Sequence, residues 1–214
     1  MGLYNRLVGT PWVYDHVRPL LTGGLDLSPA YAFDRDLSNE IIVDVGCGTG
    51  DALRYITDFR EYHGFDPDER AVERLHNVHC GRDIHVCARL LTTADVTSIA
   101  PTVALMIGAL HHMDDDAVVQ TMNILSAGDT VRQVRTLDVQ RVPGDIGNNL
   151  FIRLDRGRHV RTADALVNLL SHTSFRVAKS WTFRPTIPLP SYLVMDLVPR
   201  QSRCERADAP VETL

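Results

Sequence analysis

Lysine is nearly missing from this chain: Lys179 is the only one in 214 residues. Positive charge rides on arginine instead, and 22 Lys+Arg against 27 Asp+Glu leave a formal net charge of −5. A general nucleic-acid binder carries a clustered basic excess, so that partner class is excluded. Cysteine is scarce as well. Cys47, Cys80, Cys87 and Cys204 are too unevenly spaced for a disulfide framework and fit a reducing cytosol. No run approaches the ~20 apolar residues needed to cross a bilayer. Arg6, Asp15, His16 and Arg18 interrupt the N-terminal stretch, which therefore lacks a signal-peptide core. A soluble, cytoplasmic protein without a membrane partner is expected. Internal repeats are absent too.

What is present suffices for one folded unit. With 44% apolar and 23% charged residues the chain is neither disordered nor fibrous, and its length fits one domain. Residues 1–40 carry apolar positions near helical spacing, cut short by Pro11, Pro19, Gly23, Gly24 and Pro29. Ile41 to Val45 is a β-branched run that ends in glycines and reads as a buried parallel strand. The pattern then predicts a helix over 51–59 and a strand over 61–65. Pro67 follows as a helix opener, and the helix it starts carries Ala71, Val72 and Leu75 inward. Further strands are expected near 84–88, 102–107 and 131–139, with a helix opened by Asp114 to Asp116 before the last of them. Residues 140–161 show no clear period and read as a long excursion with at most one helical turn. Thr162 caps a helix, and two closing strands, 175–183 and 191–197, form an antiparallel edge. Alternating strands and helices imply a parallel sheet covered on both faces.

The informative segment runs Val43-Asp44-Val45-Gly46-Cys47-Gly48-Thr49-Gly50-Asp51. A strand that enters glycines and then a helix brings backbone N–H groups against a polar ligand at the sheet's carboxyl edge. Asp66 lies twenty residues beyond Gly46, at the end of the second strand, where a carboxylate can accept both ribose hydroxyls of a nucleoside. Dinucleotide sites place a third glycine where Asp51 stands. A carboxylate there repels a pyrophosphate and favours a ligand carrying an ammonium and a sulfonium. Asp44 points the same way.

These residues, with Gly64-Phe65-Asp66-Pro67-Asp68 and Ile107-Gly108-Ala109-Leu110-His111-His112-Met113-Asp114-Asp115, resemble the class I S-adenosylmethionine-dependent methyltransferases. The resemblance spans about residues 40–200 and is most specific in its first two motifs. It implies a doubly wound α/β domain: a mostly parallel seven-stranded sheet with helices on both faces, the Rossmann-like methyltransferase fold. It implies S-adenosyl-L-methionine as cofactor, with Asp44 and the turn Gly46, Cys47, Gly48 and Gly50 around the methionine portion. Asp66 would take the ribose, Phe65 and Pro67 would flank the adenine, and Gly108, Ala109 and Leu110 would line the floor. Residues 1–200 would form this one domain, with 1–38 as an N-terminal helical lid and 201–214 as a flexible tail. Two departures stand out. The family usually has an acidic residue soon after the third strand, where this chain offers Arg89 or, later, Asp95. Its usual Pro-Gly-Gly before the fifth strand is here Ser126-Ala127-Gly128-Asp129.

The expected activity is methyl transfer to a small molecule, such as a secondary metabolite or quinone-like compound, by a monomer or homodimer. Non-methylating use of the same cofactor, as in a cyclisation, and an inactive partner subunit are the alternatives. Asp51 disfavours a nicotinamide oxidoreductase. His111 and His112 are the candidate catalytic residues, since imidazole titrates near neutrality, although the pair also serves as a structural turn. His76, His79, Cys80, His85 and Cys87 lack a zinc-like spacing and straddle a helix end and a strand, so no metal is expected. Arg153, Arg156, Arg158 and Arg161 read either as a solvated face or as a grip on an acidic or carbonyl-bearing acceptor.

Overall fold

Parallel strands β1 (Ile41–Val45), β2 (Glu61–Phe65), β3 (Ile84–Cys87), β4 (Val103–Ile107) and β5 (Gln133–Val139) form the body of the sheet. The computed structural model describes residues 27–79, 83–154, 158–184 and 190–200. Most of the expected lid, the tail, Cys80, Arg156 and most of the turn between the closing strands lie outside the described residues. Two more strands, β6 (Phe175–Phe183) and β7 (Tyr192–Pro199), complete a seven-stranded sheet of order β3-β2-β1-β4-β5-β7-β6. Only β7 is antiparallel to its neighbours, and it lies between β5 and β6. The last two strands therefore make the expected antiparallel edge, with β7 inside and β6 outermost. The chain steps past one position and turns back into the gap, so β6 is the edge.

The helices divide between two faces. On one side α3 (Thr93–Ile99), α4 (Asp115–Ser126) and α6 (Ala163–Leu170) bury Val96, Val118, Met122, Leu125, Leu166 and Leu170 against Val43, Ala104, Met106 and Val134. On the other, α1 (Ser28–Tyr31), a 3-10 turn (Asp51–Arg54) and α2 (Glu69–Val78) cover Ile42, Val103, Leu105 and Leu137. Local chemistry sets the helix starts. Asp68, Asp114 and Thr162 accept hydrogen bonds from backbone N–H groups of the first turns they open. Thr92 and Asp95 form a reciprocal capping box for α3, a helix the periodicity does not reveal.

Three expectations need correction. The helix expected over 51–59 is a single 3-10 turn, Asp51–Arg54, after which the chain extends toward β2. Pro67 stands before the Asp68 cap rather than at the first helical position, and α2 begins at Glu69. The excursion 140–161 contains a nine-residue helix, α5 (Ile146–Leu154). Asn148 pins α5: its side chain donates to Gln140 O at 2.9 Å and accepts from Ser191 N at 2.8 Å.

A one-residue slip in β6 decides which of its side chains face which layer. Val177 pairs with Leu197, but Lys179 pairs with Asp196, so Ala178 is extra. Period-two alternation would keep Phe175, Val177, Lys179 and Trp181 on one face; the bulge sends the last two to the other. There Trp181 meets Arg135, whose charge is buried in the sheet. The Arg135 guanidinium pairs with Asp196 through two bonds of 2.5 and 2.9 Å. Its remaining arm donates to Ala30 O and Ala32 O at 2.8 and 3.0 Å. The rings of Phe33 and Trp181 lie 4.0 and 5.1 Å from it. This knot straps residues 27–37 across the sheet. Removing one partner of such a pair leaves an uncompensated buried charge. Arg135→Ala is thus expected to lower the unfolding free energy in urea by about 3–5 kcal/mol. An Arg135→Met/Asp196→Leu double variant should lose less than the two single variants combined.

Candidate functional site

The glycine turn after β1 is shaped by its backbone. Gly46, Gly48 and Gly50 all adopt positive φ, at 75°, 52° and 84°. Two of them also make close approaches. A Cβ on Gly46 would stand 3.1 Å from Cβ of Ala109, and one on Gly50 would press to 2.9 Å of Leu75. The turn thus sits directly on the segment after β4, where Gly108 (φ 66°) donates to Leu137 O at 2.7 Å. The predicted glycines, Ala109 and Gly108 are brought together at one sheet edge. Leu110 is buried among α4 and α6 contacts rather than open to that edge.

Asp66 holds the turn from the β2 side. One carboxylate oxygen accepts from Gly48 N at 2.9 Å, and the other from Asp68 N at 2.8 Å. Each oxygen keeps a further lone pair for a hydroxyl donor. Of the expected adenine flanks, Pro67 is exposed, whereas Phe65 is buried in the core with the Arg89 guanidinium 5.2 Å from its ring centre. Asp95 accepts both arms of Arg89, at 2.6 and 2.7 Å, and the Thr92 N–H and hydroxyl. Arg89 foremost holds the Asp95 carboxyl well below the usual range. That carboxylate is committed to its own helix start.

Asp44 is the most perturbed acid. It is 2% exposed, and the Tyr62 hydroxyl donates to its Oδ2 at 2.5 Å. Its Oδ1 has no hydrogen-bond partner among the described residues. Burial chiefly pushes its pKa up to about 7; the Tyr62 bond opposes this, and the charges of Asp66 and Asp51 add to it. Burial likewise raises the Cys47 thiol, with Asp44 and Asp66 adding to the effect, so Cys47 is packing rather than a nucleophile. A buried carboxyl with one oxygen unsatisfied, beside a second carboxylate and a turn of three positive-φ glycines, suits a positively charged ligand. S-adenosylmethionine fits this donor set: Asp44 could take an ammonium and Asp66 two hydroxyls.

The candidate catalytic pair separates. His111 is buried and His112 exposed, with ring centres 4.0 Å apart. The Nδ1–H of His111 donates to Asp138 Oδ1. The same carboxylate accepts from His111 N at 3.2 Å and Val139 N at 3.0 Å. A small cleft beside it is lined by Leu110, Val139, Gln140, His159, Leu166 and Leu193. From the arginine run, Arg161 donates to Leu110 O, Met113 O and the Asp115 carboxylate at 2.6–3.0 Å, bracing the turn after β4. Arg153 and Arg158 are exposed. Among the described residues no group of three or more metal-ligating side chains comes together, and no helix is long and apolar enough to cross a membrane. Sequence reasoning missed Tyr62 and Asp138. An acid at the carboxyl end of an apolar strand was the available signal for Asp138.

The strand order, the glycine turn and the carboxylate after β2 define a Rossmann-like α/β fold of the methyltransferase type. Residues 21–180 match the family model described as a methyltransferase domain, and the chain belongs to that family. No curated protein matches the chain. Solved structures share the fold at low identity. Mitomycin 7-O-methyltransferase MmcR aligns over 92% of this chain at 16% identity and a TM-score of 0.62. The present chain spans only 63% of MmcR. An S-adenosylmethionine-dependent methyltransferase from Mesorhizobium loti aligns over 80% of this chain and 95% of its own, at 18% identity and TM-score 0.61. Magnesium protoporphyrin IX methyltransferase from Synechocystis PCC 6803, with bound SAH, aligns over 91% and 85%, at 14% identity and TM-score 0.57.

Asp44 gives the apoprotein a distinct pH signature. The folded carboxyl keeps its proton to about 7, whereas an unfolded one loses it near 3.8. Its contribution to stability is therefore full below pH ~4, falls as pH rises, and is gone above about 7. Asp44→Asn should remove that fall, so the stability difference between variant and wild type grows from pH 5 to pH 8. Urea unfolding of both proteins at each pH measures it.

Proposed function

We propose that the protein transfers a methyl group from S-adenosylmethionine to a small-molecule acceptor, a secondary metabolite or quinone-like compound. The observation that carries this reading is the buried Asp44 carboxyl, whose Oδ1 lacks a partner among the described residues, beside the glycine turn. Such a group is costly to leave unsatisfied, and a cationic ligand relieves the cost. Bound there, the cofactor supplies an electrophilic methyl on a sulfonium. Asp44 would neutralise the amino acid portion, and Asp66 would hold the ribose. Gly46, Cys47, Gly48 and Gly50 would offer backbone to the methionine chain, while Pro67, Gly108 and Ala109 would bound the nucleoside. His111, rather than exposed His112, is the candidate to touch the acceptor. Its cleft lies beside the segment after β4 that packs on the glycine turn. Methyl transfer needs the acceptor oriented near ~3 Å from the methyl with water excluded, so positioning supplies most of the rate. Neighbours of this fold whose names give mitomycin and magnesium protoporphyrin IX as acceptors support a small-molecule substrate.

Calorimetry on the whole chain tests the reading. S-adenosylmethionine should bind and NAD should not. Asp66→Ala should weaken cofactor binding at least tenfold, the scale of losing hydrogen bonds to a charged group. Binding of NAD in preference, or unchanged affinity in the variant, would refute it.

A further inference from the structure

We infer that the free protein carries a proton on Asp44 Oδ1 and exchanges it for the ammonium of the cofactor. Tyr62 is the positioning residue that reserves Oδ1 for this exchange. The inference rests on the proposed cofactor and adds how its positive charge is received. Tyr62 stands on β2 beside β1, and its hydroxyl donates to Asp44 Oδ2 at 2.5 Å. Its side chain is buried, and burial foremost, then the charge of Asp44, raises the phenol well above its usual value. Tyr62 therefore stays a donor. With Oδ2 accepting that bond, the proton of the neutral acid falls to Oδ1, the oxygen without a partner among the described residues. The atom that can meet an ammonium is thus the atom that carries the proton, and the two exclude each other.

The surroundings favour a proton over a bare charge until a cation arrives. Around Asp44 stand the Tyr62 phenol, with Tyr31 of α1 near it, and the Cys47 thiol. Asp66 lies at the end of β2, and Asp51 on the 3-10 turn, 3.7 Å from Arg54. His79, just beyond α2, lies by Gly50, and β4 brings the apolar Leu105 alongside. Among the described residues no cation pairs with Asp44 itself. Burial and two neighbouring carboxylates make its ionisation costly. Asp44 gives up its proton when an ammonium arrives. The O–H bond at Oδ1 breaks, its electron pair stays on oxygen, the proton leaves to water, and the carboxylate pairs with the ammonium. Uptake therefore releases close to one proton where Asp44 starts protonated, and none where it starts ionised.

The test uses S-adenosylhomocysteine, which keeps the ammonium, and 5′-methylthioadenosine, which keeps the adenosine but lacks it. Calorimetry of the whole chain in buffers of different ionisation enthalpy reads the protons released. S-adenosylhomocysteine should release close to one proton at pH 5.5, and the release should fade as pH rises past about 7. Its affinity should weaken roughly 20-fold from pH 7.5 to pH 5.5, the drop of an acid titrating at about 7. Asp44→Asn should show neither the release nor the drop. Tyr62→Phe removes a bond that favours the charged form, so its drop should begin at higher pH, and methylthioadenosine binding should not follow it. Infrared difference spectra at pH 6 should show a protonated-carboxyl band that S-adenosylhomocysteine removes from the wild type and that Asp44→Asn lacks. Binding of S-adenosylhomocysteine without proton release, or a release that survives in Asp44→Asn, would overturn the inference. So would an equal pH drop for methylthioadenosine or an unshifted Tyr62→Phe profile. A wild type that binds S-adenosylhomocysteine at no pH would instead sink the cofactor reading beneath it.

Discussion

A carboxylate at the end of β2 keeps the two halves of the ligand edge in register. Asp66 reaches across to the backbone of Gly48 with one oxygen and to the start of α2 with the other. Gly46 and Cys47 also donate to Phe65 O, at 2.8 and 3.3 Å, so the glycine turn hangs from the strand that carries Asp66. The positive φ angles of that turn favour glycine, and a Cβ at Gly46 would crowd Ala109 at 3.1 Å. The turn also packs on α2 where Gly50 lies against Leu75. Every functional statement about this edge assumes that alignment.

Two other acids at the same edge follow one logic. Asp44 receives a hydroxyl from Tyr62 on the neighbouring strand, and Asp138 receives an imidazole from the turn after β4. In each case a strand supplies the acid near its carboxyl end and an adjacent element supplies the donor. The outcomes differ. Asp44 keeps one oxygen without a partner among the described residues, and burial raises its pKa against the opposing Tyr62 bond. Backbone N–H groups and an imidazole satisfy Asp138 instead. Away from this edge, Arg135 and Asp196 put a third kind of buried charge to mechanical use, fixing residues 27–37 across β5 and β7.

The parts of this arrangement that local pattern governs were legible in the sequence. The β1 run, the glycine spacing, Asp66 and the Thr162 cap all depend on residues within one element or turn, and β6 follows its expected bounds. What escaped depends on contacts far apart in the chain. β7 enters between β5 and β6, where its Asp196 pairs with Arg135, sixty-one residues away in the chain. The bulge at Ala178 is invisible until β7 sets a register. α3 has a Thr92–Asp95 box but few apolar residues, so period alone does not reveal it. Tyr62 and Asp138 acquire meaning only from Asp44 and His111, which lie 18 and 27 residues away.

The missing helix after the glycine turn changes the reason for ligand choice. Read from sequence, Asp51 at the head of a helix opposes a diphosphate by spoiling a positive dipole end. Folded, that helix is one 3-10 turn of four residues, Asp51–Arg54, and Asp51 lies 3.7 Å from Arg54. A turn so short sums few peptide dipoles, and an exposed ion pair further mutes the charge of Asp51. Discrimination must then come from where burial makes charge count. Asp44 is inside the protein, where the effective dielectric is low, and Asp66 is partly so. A diphosphate would add negative charge beside both without relieving the unsatisfied oxygen. An ammonium would relieve it, so the case for a cationic nucleoside does not depend on the helix that first pointed to it.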